Sequence, residues 1–250
     1  MMIKVYIISL KKDKKRRIDL INQLEQMNIP FVIIDAVEGA LLANAKIDKF
    51  NTMTKFRYRR RVGKNEIGCS LSHQKVYRDI IKNNIEWAII LEDDVSIKVD
   101  FFSLIKNKIK NFNKDNLYIL GGQNGLLSKR MQQTSIFKRL ELDKRFFFAK
   151  TINSEKYIFR TCCYMINNSV ARKIVEKFKD DFFIADDWLY LKRKKVFKHI
   201  FMSDMIDHPI DLSNSSIELE RENRNVNKFK IISILKKLNC FLRNIYKFGI

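Results

Sequence analysis

Val5-Tyr6-Ile7-Ile8-Ser9-Leu10 is a short, β-branched apolar run; after it come Ile18, Ile21, Leu24 and Met27 at helical spacing, then Pro30 and Phe31-Val32-Ile33-Ile34-Asp35-Ala36-Val37. The two apolar runs read as buried strands, and residues 11–28 between them as an amphipathic helix that Pro30 ends. Strand, helix, strand is the β-α-β unit that opens a parallel sheet, so the predicted class is an α/β sandwich of Rossmann type with a mostly parallel central sheet. Sheets of this kind collect ligands at the carboxyl ends of their strands.

The same pattern continues outward. Residues 43–64 are polar and basic. Residues 70–84 then read as a helix with Leu71, Val76, Ile80 and Ile81 inward and Ser70 or Ser72 as its cap. Trp87-Ala88-Ile89-Ile90-Leu91 is the next buried strand and runs straight into Glu92-Asp93-Asp94. Strands are also predicted at residues 117–120, closed by Gly121-Gly122, and at residues 160–166. A helix over residues 168–179 turns Val170, Ile174, Val175 and Phe178 inward. From residue 228 onward, Ile231, Ile234, Leu235, Leu238, Phe241 and Leu242 line one helical face among lysines and arginines. This basic amphipathic helix either packs on protein or lies on an anionic membrane surface. The expected organisation is one domain over residues 1–225 and this helix over residues 226–250.

The 250 residues carry 49 basic and 28 acidic side chains, a formal charge of +21. Such a surface seeks anions, whether nucleic acid, a membrane face or a phosphorylated substrate. One basic run, Lys55, Arg57, Arg59, Arg60, Arg61 and Lys64, holds the aromatics Phe56 and Tyr58 and suits nucleic acid, or is a solvated face. The four cysteines, Cys69, Cys162, Cys163 and Cys240, lack C-x-x-C spacing, and Cys162 and Cys163 should point to opposite faces of a strand. Reduced thiols in the cytosol are expected. The chain passes from Met1 directly into a strand, and no run of about 18 apolar residues occurs, so neither secretion nor membrane spanning is expected.

Three consecutive carboxylates at a strand end repel one another unless a cation, water or basic side chains compensate them. Hard divalent cations prefer carboxylate oxygens and leave positions for phosphate oxygens. In extended geometry Glu92 and Asp94 share a face and Asp93 points away. Asp94 is then the metal ligand, Glu92 reaches the metal through water or contacts a ribose hydroxyl, and Asp93 orients backbone; the alternative is an acidic turn neutralised by a nearby Lys or Arg. Asn65-Glu66-Ile67-Gly68-Cys69-Ser70-Leu71-Ser72-His73 is expected to be a turn opening a helix, with Ser72 and His73 in the first turn, where phosphate oxygens bind; a packed histidine is the alternative. Asp186-Asp187 beside Trp188 suits a sugar, whose apolar faces stack on aromatic rings and whose hydroxyl gives its proton to a carboxylate. Helix capping by Asp186 is the alternative there.

These segments together resemble glycosyltransferase family 25, the lipopolysaccharide and lipooligosaccharide biosynthesis transferases, and look similar to the collagen galactosyltransferases. The resemblance rests on Val5 to Leu10 with Arg16-Arg17, on Asp35-Ala36-Val37-Glu38-Gly39, on Gly68 to His73 and on Leu91-Glu92-Asp93-Asp94; Asp186 and Ser215-Ser216-Ile217 match less specifically. It implies a GT-A-like fold, a UDP-sugar donor, usually UDP-galactose, Mn²⁺ or Mg²⁺, inversion at the anomeric carbon, a glycan or lipid-linked acceptor rather than nucleic acid, and work at the cytoplasmic face of the bacterial inner membrane. Under it Ser9, Leu10, Arg17, Ser72, His73, Glu92 and Asp93 hold the donor. Asp94 and Glu92 hold the metal, His208 before Pro209 either completes its sphere or is an ordinary residue after the last core strand, and Asp186 is the base with Asp187 its rival. Glu92 departs from the general D-x-D pattern, which has Asp in that place. A nucleic-acid-binding protein or nuclease is the reading from a different class, and a membrane scaffold without turnover is a third.

Overall fold

The computed structural model describes residues 2–210. Residues 211–250 lie outside the described residues, and with them the predicted C-terminal helix, the boundary at 225/226, Ser215-Ser216-Ile217 and Cys240. No helix among the described residues is long and apolar enough to cross a membrane.

The opening unit is β1 (Ile3–Ser9), α1 (Ile18–Gln26) and β2 (Phe31–Asp35). β1 and β2 pair in parallel, with Val5 opposite Phe31. The helix begins at Ile18 rather than at residue 11, because residues 11–17 are charged, offer no apolar side chain to the core and form turns. It ends at Gln26, and Asn28, at φ 52°, then reverses the chain. Next come α2 (Asn44–Tyr58), α3 (Lys64–Lys82), β3 (Trp87–Glu92), β4 (Ser96–Ile97), α4 (Phe101–Lys108) and β5 (Leu117–Gly121). The hairpin of β6 (Thr134–Glu141) and β7 (Phe147–Thr151) follows, then β8 (Cys163–Asn167), α5 (Asn168–Lys177), α6 (Trp188–Arg193) and β9 (Ile200–Asp207).

The sheet order is β2-β1-β3-β8-β5-β9-β7-β6, with β4 on β9. β2, β1, β3, β5 and β9 run one way and β8 is wedged antiparallel between β3 and β5, so the centre is mostly parallel, as predicted. Both faces are covered. Tyr6 and Ile8 of β1 meet Val76 and Ile80 of α3 in one core, while Val5 and Ile7 meet Leu20 and Leu24 of α1 in the other. Trp87 to Leu91 are all 0 % exposed, which explains why β3 reads as an unbroken apolar run. Each such large side chain contributes roughly 1.5–3 kcal/mol by its burial.

One helix was not foreseen, and two expectations are corrected. α2 lies in the polar, basic stretch: its apolar residues do not form a stripe, and tertiary contacts hold it, with Arg57 on Asp181 at 2.6 Å and Phe50 against Phe182. α3 starts six residues before Ser70, at Gly63-Lys64, where Glu66 accepts from the Gly63 N–H at 2.9 Å. Cys162 and Cys163 do not face apart; Cys162 precedes β8, and the two sulfurs lie 3.8 Å from each other.

Candidate active site

A cavity of about 350 Å³ opens where β1 and β3 end, at the carboxyl edge of the sheet. Ser9, Leu10, Ser72, His73, Glu92 and Asp93 from the sequence reading all line it. Arg16, not the expected Arg17, joins them, with Lys12, Lys64, Asn65 and Cys69. Because α3 starts early, Ser72 and His73 sit in its middle, and the end that faces the cavity is Lys64-Asn65. The Ser72 hydroxyl donates to the Gly68 carbonyl at 2.7 Å and accepts from the Val37 N–H at 2.8 Å, so it ties the loop after β2 to α3. Gly68 is required at that tie: a Cβ there would stand 2.6 Å from the Val37 carbonyl oxygen.

The acidic triplet divides between two sets of partners. Glu92 turns towards α3, accepting from the Thr161 hydroxyl at 2.6 Å with His73 Nε2 3.4 Å away. Burial opposes its ionisation, but His73 and Thr161 outweigh that and hold its pKa down. Asp93 and Asp94 share one cation, Arg16, whose Nε is 2.9 Å from Asp93 Oδ1 and whose Nη2 is 2.5 Å from Asp94 Oδ2. Burial pushes the Asp93 carboxyl up to about 6 even so. Asp94 also meets His208 Nε2 at 3.3 Å; burial works against both charged forms, and the pair prevails, lowering Asp94 and raising His208. Asp94 and His208 are not among the residues that line the cavity. The alternation expected for the triplet therefore ends at Asp93, since the chain turns at Asp93-Asp94 and Arg16 reaches both.

Asp186 and Asp187 line a second cavity of about 440 Å³ with Tyr58, Arg60, Phe159 and Leu189. Their roles are separable. Asp187, not Asp186, caps α6 by accepting from the Tyr190 N–H at 3.1 Å, while Asp186 accepts from the Arg160 N–H at 3.1 Å. Trp188 is 2 % exposed, and its indole N–H donates to the Arg160 carbonyl, so it is core and offers no sugar platform. Phe159, 42 % exposed, is the open aromatic wall. Arg160, at φ 67°, is held in this unusual backbone region by Asp186, Trp188 and the Gly122 and Asn124 carbonyls. Arg160 thus binds Asp186 and the next residue, Thr161, binds Glu92, so one dipeptide joins the two cavities.

Sequence reasoning missed Arg16 and the Arg160-Thr161 bridge. Arg16 stood within a matched motif, but nothing local says which of Arg16 and Arg17 reaches the acidic triplet. In the basic run, Arg57, Arg60 and Arg61 pair with Asp181, Glu66 and Asp48. Half of the run's six basic residues are thereby engaged in intramolecular pairs.

Residues 2–189 match the family model described as Glycosyltransferase family 25 (LPS biosynthesis protein). A Haemophilus influenzae protein provisionally named a glycosyltransferase is 24% identical over 252 residues, covering 93% of this chain and 81% of that protein. Human procollagen galactosyltransferase 2 is 29% identical over 118 residues, 45% of this chain, which spans only 19% of that protein's length. Among solved structures, A197 from STIV aligns with TM-score 0.48 at 14% identity over 84% of this chain and 87% of that one. A glycosyltransferase involved in glycosylation of the major capsid of PBCV-1 aligns with TM-score 0.41 at 10% identity over 89% and 98%. The chain belongs to glycosyltransferase family 25 and is a glycosyltransferase.

Proposed function

We propose that this glycosyltransferase moves a hexose, galactose from UDP-galactose, onto a lipooligosaccharide or lipopolysaccharide acceptor with inversion at the anomeric carbon. The observation that carries this is the pair of cavities joined by Arg160-Thr161: a donor cavity at the ends of β1 and β3, and an acceptor cavity holding Asp186. In the donor cavity, Lys64 and the N-terminal end of α3 supply positive potential for a diphosphate, Lys12 is paired with Glu38 on the same wall, and Ser9 and Leu10 border the nucleoside. On the acceptor side, Asp186 takes the proton from the attacking hydroxyl, with Phe159 and Tyr58 as the aromatic wall. Asp187 shapes that wall by fixing α6.

The residues beside Arg16 fit a divalent cation. Asp94 Oδ1 is buried with no partner, and His208 Nε2 lies 3.3 Å from Asp94 Oδ2 while its Nδ1 contacts the Pro209 carbonyl at 2.9 Å; an ion would take the place of the Nε2 proton between the two side chains. Asp94, His208 and Glu92 would hold the ion, Mn²⁺ or Mg²⁺, and it would neutralise charge on the leaving diphosphate. We further place the enzyme at the cytoplasmic face of the inner membrane, with the basic residues of 226–250 on the anionic leaflet.

The test is incubation of purified protein with a panel of UDP-sugars, Mn²⁺ and a lipooligosaccharide acceptor, reading products by mass. UDP-galactose should be consumed and Asp94→Asn should be inactive. Undiminished turnover of Asp94→Asn in added Mn²⁺ would remove the metal assignment, and transfer from another donor would remove galactose.

A further inference from the structure

Cys69, His73 and Glu92 meet on the wall of the donor cavity, their ligand atoms all within 4.8 Å of one another. Cys69 and His73 are four apart on α3, which puts them on one helical face, and Glu92 reaches them from the end of β3. The imidazole is the telling group. His73 is 1 % exposed, and its Nδ1 lies 2.8 Å from the Tyr164 hydroxyl, which is 2.8 Å from the Tyr77 hydroxyl. Its Nε2 is buried 3.4 Å from Glu92 Oε1 and makes no well-aligned hydrogen bond. Buried polar nitrogens seldom go unsatisfied, and each one that does calls for an explanation. When Nδ1–H donates to Tyr164 and Tyr164 donates to Tyr77, Nε2 presents a lone pair, the form a metal needs.

We propose that Cys69 Sγ, His73 Nε2 and the Glu92 carboxylate form a binding site for a thiophilic divalent cation of the zinc class. Sulfur, nitrogen and oxygen donors suit zinc and not magnesium or manganese, which favour all-oxygen sets. On binding, the Cys69 thiol releases its proton to solvent. One thiolate and one carboxylate then balance the dication, so the filled site is neutral. Three protein ligands leave a fourth position towards the cavity, as in open zinc sites. That this cavity holds the nucleotide rests on the reading above; a filled site would draw Glu92 away from the donor and inhibit transfer.

Cobalt(II) reports such a site without any activity measurement. Chelator-treated full-length protein titrated with Co²⁺ should develop a thiolate-to-cobalt charge-transfer band with visible tetrahedral bands, saturating at one equivalent and bleached by Zn²⁺. Cys69→Ser, checked for native circular dichroism, should lose the charge-transfer band, with Cys162, Cys163 and Cys240 left in place. Asp94→Asn should keep it. Tyr164→Phe, which removes the partner fixing the His73 tautomer, should weaken Co²⁺ binding about tenfold to a hundredfold. In the wild type, Zn²⁺ but not Mg²⁺ should shield Cys69 from alkylation read by mass, a check that requires no variant to fold. Absence of the band, its survival in Cys69→Ser, or alkylation of Cys69 unchanged by Zn²⁺ would overturn the proposal. Failure of sugar transfer alone would count against the proposed function and leave these readouts intact.

Discussion

Replacing Arg16 by Gln tests whether the acidic corner is a cation site that a side chain occupies when no ion is bound. Arg16 is the shared counter-charge of two carboxylates whose side chains are only 9% and 13% exposed, while its own is 36% exposed. Breaking a fully buried pair costs about 3–5 kcal/mol. Solvent reaching the guanidinium reduces this, and we take about 2 kcal/mol for Arg16→Gln without metal. For a domain of this size that lowers Tm by about 4–8 °C. Mn²⁺ should then do what the guanidinium did: at a hundred times its Kd it contributes about 2.7 kcal/mol, enough to restore the lost stability. In the wild type the ion has to displace Arg16, so the Mn²⁺-induced shift should be smaller there. The assay is thermal unfolding of both proteins with and without Mn²⁺. Equal shifts, or an Arg16→Gln melt that Mn²⁺ leaves unmoved, would refute the competition and with it the reading of this corner as a metal site.

The two aspartates of the acceptor cavity should separate chemistry from folding. Asp186→Asn should lower kcat by about 10²–10⁴ and leave Tm almost unchanged, whereas Asp187→Ala, which removes the α6 cap, should cost about 1 kcal/mol in denaturant unfolding; a reversed pattern would exchange their roles. Away from the site, Lys173 and Lys198 hold the Asp115 carboxyl down to about 2. Its stabilising contribution is therefore complete above the ordinary aspartate range and is lost as pH falls through about 2. Because the group is largely solvated, Asp115→Asn should cost only about 1 kcal/mol at neutral pH, converging on the wild type in acid; a pH-independent difference would contradict this. Removing residues 228–250 should reduce co-sedimentation with anionic vesicles more than transfer to soluble acceptors, and unchanged co-sedimentation would defeat membrane attachment through that segment.

What the sequence determined by itself is what short-range periodicity and hard local chemistry encode. β1 and β3 were legible because strands buried on both faces must be continuously apolar, and α5 because Val170, Ala171 and Ile174 mark one buried face; β2, expected to be buried as well, is an edge strand whose apolar residues are half-buried or, at Val32, exposed. The matched motifs likewise named most of the donor cavity's lining, since those residues follow directly on strand ends. Tertiary structure alone decided the rest. α2 has no apolar stripe and depends on Asp181 and Phe182, more than a hundred residues away in the chain. β8 reads like its parallel neighbours, because direction within a sheet leaves no trace in a run of buried residues. The start of α3 was misplaced because serines that look like caps bond instead to the carbonyls four residues back, Ser70 to Glu66 and Ser72 to Gly68. That Arg16 spans Asp93 and Asp94, and that Arg160-Thr161 joins Asp186 to Glu92, are facts of three-dimensional proximity. A long, flexible guanidinium and a loop in a left-handed turn are oriented by whatever packs around them, and one-dimensional pattern carries no record of that.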